Sequence, residues 1–234
     1  MVSIYVLIVA PPLLIFAALT DNPSPLYGAA YVIIRLAVAI VGIRLRIHGE
    51  EHVQRGRSAV YAFNHSSNVE PPLCYLALHA LYPKLRIFYK AELRKLPVLV
   101  WAGAALLGCF VPVDRRNRDQ SLPAVDRAVE GLKDGASFLI FPEGTRSRTG
   151  ELLPFKKGGV VMAVKAQVPL VPCVITGTRE AMHKGSITVH PVTVDVTFCP
   201  PIPTVGKAVD DRDELTDALR DAIAARLAES LSAR

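Results

Sequence analysis

Few residues in this sequence suit disulfide, metal or nucleotide chemistry, and those gaps narrow its functional class. Its 234 residues include only four cysteines, Cys74, Cys109, Cys173 and Cys199, far apart and each in an apolar neighbourhood. Thiols placed this way read as buried and reduced, not as a disulfide framework. No Cys-x-x-Cys pair occurs, and no metal site is expected. Neither a Gly-x-Gly-x-x-Gly run nor a Walker-type loop is present, so ATP and NAD have no support. There is no basic helix, zinc-finger spacing or aromatic ribonucleoprotein pattern, which leaves nucleic acid without a reader. Internal repeats are absent too.

Charge is missing from one region in particular. Residues 1–43 hold only Asp21 and Arg35, although charged residues make up 21% of the chain and hydrophobic ones 51%. Val2 to Leu19 carries no charge, but Pro11-Pro12 interrupts it, and a straight spanning helix is not expected there. After the turn Asp21-Asn-Pro-Ser-Pro25, a second apolar segment runs from Ala29 to Ile43. As one helix it would rise about 22 Å, short of a hydrocarbon core of roughly 30 Å. The two segments read as a membrane-associated hairpin over residues 1–43; a buried helix pair of a soluble domain is the other reading. A cleaved signal peptide is not expected, since no basic n-region precedes the apolar run. Arg44, Arg46, Arg55 and Arg57 come immediately after, which by the positive-inside tendency puts residues 44–234 on the cytoplasmic face of the cytoplasmic membrane.

What the chain does have is a basic middle. The formal net charge is +6; the first 43 residues balance, and residues 210–234 are net −3, so residues 44–209 carry +9. Such a region attracts phosphate esters, acidic carriers or an anionic bilayer. Apolar runs at Leu45–His48, Ser58–Phe63, Arg86–Tyr89, Gly108–Asp114, Ser137–Phe141, Leu170–Ile175 and Thr193–Phe198 read as strands. Helical patterns fall at Leu73–Leu81, Leu96–Leu107, Leu122–Leu132 and Val160–Ala166. A terminal helix carries Leu215, Leu219, Ile223, Leu227 and Leu231. The alternation predicts an α/β fold, a mixed sheet flanked by helices, in one domain over 44–234.

The stretch Tyr61-Ala-Phe-Asn64-His65-Ser-Ser-Asn-Val-Glu70-Pro-Pro runs from a strand into a helix. A spacing of five puts His65 and Glu70 about 140° apart on a continuous helix, so they meet only if the chain bends between them. Read alone, the pair fits either an imidazole oriented as a general base or a surface histidine beside a capping glutamate. Pro71 disfavours a helical Glu70 and suits the first turn of the helix expected after it.

Two further stretches bear on that choice, Gly108-Cys-Phe-Val-Pro-Val-Asp114-Arg115 and Phe141-Pro-Glu143-Gly144-Thr145-Arg146-Ser147. With Asn64-His65 and Val168-Pro-Leu-Val-Pro172 they stand in the order and spacing of the four motif blocks of the glycerolipid acyltransferase family. The chain resembles that family over roughly residues 44 to 205, most closely its bacterial 1-acylglycerol-3-phosphate branch. It departs in having Glu70 where the family usually has Asp.

The resemblance implies transfer of an acyl chain from acyl-CoA or acyl carrier protein, as co-substrate, to the free hydroxyl of lysophosphatidic acid, with no cofactor. His65 would be the base and Glu70 its support. Lys90, Arg115, Glu143, Gly144, Thr145 and Arg146 would bind substrate at a membrane-lipid surface; Lys90 reads equally as a solvated strand-end lysine. Arginine forks match phosphate oxygens, and glycine admits close backbone approach. Glu143 would position either a neighbour or the glycerol. Glycerol 3-phosphate or another lysophospholipid as acceptor, an acyl-serine route through Ser66 or Ser67, and a non-catalytic lipid-binding protein stay open.

Overall fold

The computed structural model describes residues 19–20, 22, 24–90, 110–113, 118–183, 185–186 and 188–232. Seven strands form one sheet: β1 (Arg44–His48), β2 (Val60–Phe63), β3 (Leu85–Lys90), β4 (Phe110–Val113), β5 (Ser137–Ile140), β6 (Leu170–Thr176) and β7 (Thr193–Phe198). Their order across the sheet is β1-β7-β6-β2-β5-β3-β4. Every pairing is parallel except β6 with β7, which makes the sheet mixed, as the sequence predicts.

β2 shows why this sheet is covered on both faces. All four of its residues are buried, because alternate side chains enter different cores. Tyr61 and Phe63 join Leu73, Leu78, Leu139 and Phe198 on one face. Val60 and Ala62 join Phe138, Met162, Leu170 and Leu219 on the other. The first face is closed by α1 (Ser24–Ile40) and α2 (Glu70–Ala77). The second is closed by α3 (Arg118–Lys133), α4 (Gly158–Ala166) and α6 (Arg212–Ser232), with the short α5 (Thr178–Ala181) coming after β6.

The terminal helix packs where its leucines point: Leu215, Leu219 and Ile223 are buried, while Leu231 is exposed. Cys74, Cys173 and Cys199 are free and buried, and burial pushes all three thiols upward in pKa. Cys109 and the expected Leu96–Leu107 helix lie outside the described residues.

Two expectations shift. The helix predicted from Leu73 begins three residues earlier, with Glu70 in its first turn and Pro71 and Pro72 behind it. First-turn amides need no intrahelical partner, so the prolines lose nothing, and the Glu70 carboxylate is drawn in by the amides of the preceding loop. The helix also stops at Ala77 and passes into a 3-10 turn, His79–Leu81, ahead of Pro83.

Of the expected hairpin, Val2 to Ala18 lies outside the described residues, and among the described residues no helix is long and apolar enough to cross a membrane. α1 instead packs Leu26 and Tyr27 inward, where the Tyr75 hydroxyl donates to the Tyr27 carbonyl at 2.7 Å.

Where β2 ends, Asn64 continues the ladder with its side chain. Its Nδ2 donates to the Ile175 carbonyl at 2.9 Å and its Oδ1 accepts from the Ile175 amide at 2.8 Å. This fastens the residue before His65 to β6. Asn64→Leu keeps the bulk and strands both Ile175 groups, so urea denaturation should show a loss of about 2–4 kcal/mol. A loss below about 0.5 kcal/mol would mean that water or a neighbour replaces the amide.

Candidate active site

The C-terminal ends of the central parallel strands all point to one edge of the sheet, the place where open α/β folds gather ligand-binding groups. His65 leaves β2, Glu143 leaves β5 and Thr178 leaves β6 at that edge. The loop 64–69 supplies the bend that a spacing of five requires. His65 Nδ1 lies 2.6 Å from Glu70 Oε2. The Glu70 side chain is fully buried and that of His65 is 12% exposed.

A carboxylate without water must be met by donors. Glu70 Oε1 accepts from the Ser66 hydroxyl at 2.8 Å, the Ser67 amide at 3.0 Å and the Thr178 hydroxyl at 2.6 Å. The Ser66 amide is shared between the two carboxylate oxygens at 3.0 and 3.1 Å. A carboxylate only accepts, so Nδ1 is the nitrogen that donates to Glu70, and in the neutral imidazole the lone pair then falls on Nε2. Among the described residues no group bonds Nε2. Phe141 stacks on the ring with centroids 4.1 Å apart, which fixes its plane.

The second loop, 141–157, is tied to the first by main-chain and carboxylate bonds. The Ser147 amide donates to the His65 carbonyl at 2.7 Å. Glu143 Oε1 accepts from the His65 amide at 2.6 Å and Oε2 from the Leu153 amide at 2.9 Å. Both Glu143 oxygens are thus bound to neighbouring main chain, with the residue 4% exposed, as the positioning task requires.

Gly144 has φ +70°, and a Cβ there would fall 2.7 Å from Lys156 Cε. Glycine thus serves the left-handed turn and leaves room for the Lys156 stem to cross the loop. Thr145 is exposed and Arg146 half-buried in the same turn. The backbone of Lys90 ends β3 at this edge, while its side chain and the whole of Arg115 lie outside the described residues.

Some site residues are given no role by the sequence reading. Asn64 and Thr178 are polar residues just past buried strands, the same signal that singles out His65, and Lys156 sits in Pro154-Phe-Lys-Lys-Gly158. Ser66 and Ser67 do not point at the imidazole: the first hydroxyl donates to Glu70, the second to the Met182 carbonyl at 2.7 Å. That leaves the acyl-serine route without a nucleophile aligned on His65. A separate groove of about 250 Å³, between α1 and α2, is lined by Tyr27, Tyr31, Tyr75, His79 and Tyr82 and shares no residue with the dyad.

A family model described as Acyltransferase matches residues 44–176. The 1-acyl-sn-glycerol-3-phosphate acyltransferase of Limnanthes douglasii is 35% identical over 198 residues, 84% of this chain and 67% of that protein. The 1-acyl-sn-glycerol-3-phosphate acyltransferase alpha of Homo sapiens is 30% identical over 187 residues, 77% of this chain and 62% of that protein. The match thus spans about two thirds of these relatives. The crystal structure of the 1-acyl-sn-glycerophosphate (LPA) acyltransferase PlsC from Thermotoga maritima superposes with a TM-score of 0.80 at 28% identity, covering 99% of this chain and 92% of that one.

Burial pushes the Glu143 carboxyl above the usual carboxylate range, against the opposing pull of the Leu153 and His65 amides and of the His65 ring. A folded-state pKa that is raised gives most stability below the unfolded value, about 4.3, and loses it as pH rises through the folded value. Glu143→Gln removes that slope, so the parent's stability advantage over the variant should shrink in urea melts as pH rises above about 4.3. The glutamine also sets an NH₂ against one of the two amides, leaving the variant about 1–3 kcal/mol less stable. A difference that stays flat with pH would contradict the burial argument.

Proposed function

Because the chain belongs to the Acyltransferase family, we propose that it acylates the free hydroxyl of 1-acyl-sn-glycerol 3-phosphate from a thioester donor, acyl-CoA or acyl carrier protein, giving phosphatidic acid. The observation that carries this reading is the 2.6 Å contact between His65 Nδ1 and a fully buried Glu70, which leaves Nε2 free to act as a base.

Nε2 takes the proton of the acceptor hydroxyl as its oxygen attacks the thioester carbonyl. The tetrahedral intermediate collapses, the carbon–sulfur bond breaks, and the thiolate takes the proton from the imidazolium. Glu70 supports the positive charge on the ring between those steps. No acyl-enzyme is needed, which agrees with the engagement of Ser66 and Ser67 elsewhere.

Arg146, with Lys90 and Arg115, is the anion-binding set for the acceptor phosphate in this reading, within a region of net +9. The acceptor's tail lies in a bilayer, so the site must work at a membrane surface. Val32, Leu36 and Ile40, one face of α1 at a spacing of four, are exposed and apolar, as a lipid-facing stripe requires. Through α1 the apolar N-terminal region would hold the domain at the cytoplasmic face.

The full-length protein in detergent, given labelled acyl-CoA or acyl carrier protein and a panel of lyso-acceptors, should make phosphatidic acid. His65→Ala should lower kcat by about 10²- to 10⁴-fold with the fold intact. Glu70→Gln should lose most turnover, and Glu70→Asp, which keeps the charge, should retain far more. Removing the acceptor phosphate should make a poor substrate, as should Arg146→Ala with the phosphorylated one. Product with glycerol 3-phosphate or another lysophospholipid alone would reassign the acceptor, and no product with any acceptor would point to a lipid-binding protein.

A further inference from the structure

Thr178 takes part in no motif of the sequence, yet it reaches the centre of the site. It opens α5 directly after β6, and Gly177 before it has φ +87°, the left-handed turn that swings the chain from strand to helix. Thr178 is 1% exposed. Its Oγ1 lies 2.6 Å from Glu70 Oε1 and 3.3 Å from the Ser66 hydroxyl.

The origin of the donors to Glu70 is what distinguishes this one. The Ser66 amide and hydroxyl and the Ser67 amide belong to the same loop as His65, so they move with the histidine and cannot fix its orientation against the rest of the domain. Among the described residues Thr178 is the one donor to Glu70 from another element. It rides on β6, whose seven residues are all buried. The same strand holds the residue before the histidine through the paired bonds between Asn64 and Ile175.

β6 therefore grips the loop at two points, one ahead of His65 and one on its carboxylate. With Oε1 engaged by Thr178, the plane of the carboxylate is set, and Oε2 faces Nδ1.

We propose that Thr178 is a positioning residue for the acyl-transfer reaction: through Glu70 it fixes the tautomer and direction of the His65 imidazole, so that Nε2 faces the acceptor hydroxyl. The inference rests on the reading of His65 as the base. Thr178 touches no substrate in this role. Its removal slows the chemical step and leaves substrate binding alone.

The test is a double-mutant cycle on the full chain in detergent, with lysophosphatidic acid and whichever of acyl-CoA or acyl carrier protein supports wild-type turnover. Thr178→Val, close in shape but without the hydroxyl, should lower kcat about tenfold or more with KM within about twofold. Thr178→Ser should recover most of that loss. In a Glu70→Gln background, Thr178→Val should cost less than about a further twofold, because the two act as one unit. A purely structural threonine would impose its loss in full on both backgrounds.

Thermal melts establish that each variant is folded, and Thr178→Ala takes the place of the valine variant if that one is not. Thr178→Val with near-wild-type kcat, or with full additivity, while Glu70→Gln is impaired, would overturn the proposal alone. A fully active Glu70→Gln would overturn the dyad reading beneath it, and Thr178 with it.

Discussion

A carboxylate that is wholly out of water governs this structure. Moving such a charge into the interior is unfavourable by several kcal/mol unless donors surround it, and breaking a buried pair from one side costs about 3–5 kcal/mol. Glu70 meets that condition with two amides, two hydroxyls and one imidazole. Satisfying it dictates the bend of the 64–69 loop, the early start of α2 at Glu70 and the approach of Thr178 from β6. The histidine is oriented because it is one of the donors. In the proposed reaction, function and stability share a single set of bonds, and a substitution at Glu70 is expected to move both.

The second loop shows the same logic at lower stakes. Glu143 is also a buried acid, but its partners are two main-chain amides, so it fixes the backbone on either side of the site and not a reacting group. Gly144 then turns the chain away and clears the path of Lys156. The outcome is an edge of the sheet with a held imidazole at its centre and, among the described residues, Arg146 and Lys156 in the neighbouring loop. That arrangement suits an anionic acceptor and a neutral thioester carbonyl. α1 packs through Tyr27 on the same α2 whose first turn carries Glu70.

Much of this could be read from residues alone. β2, β5 and β6 are buried on both faces, and near-continuous apolar runs announce them. The spacing of His65 and Glu70 requires a bend between them if they are to meet, and the resemblance in motif order, not the spacing, is what favours their meeting. The order of the strands was not legible: β1 lies beside β7 and β2 between β5 and β6, pairings made over long separations and not by any local signal. The direction of β7, antiparallel to β6, is hidden for the same reason. Nor could Glu143 be told from a ligand of the glycerol, because a carboxylate accepts equally from an amide and from a hydroxyl. Thr178 escaped notice because a threonine after a strand is ordinary until the carboxylate it faces is known.

The central claim is that Glu70 holds the His65 imidazole with its proton on Nδ1 and its lone pair on Nε2. Nitrogen-15 NMR of the histidine ring in the folded protein, assigned by the signal lost in His65→Ala, measures this directly. The account predicts, for the neutral ring, a protonated Nδ1 in a strong hydrogen bond and an unprotonated Nε2, with that preference lost in Glu70→Gln. A proton resident on Nε2, or two tautomers averaging equally in the parent protein, would contradict it.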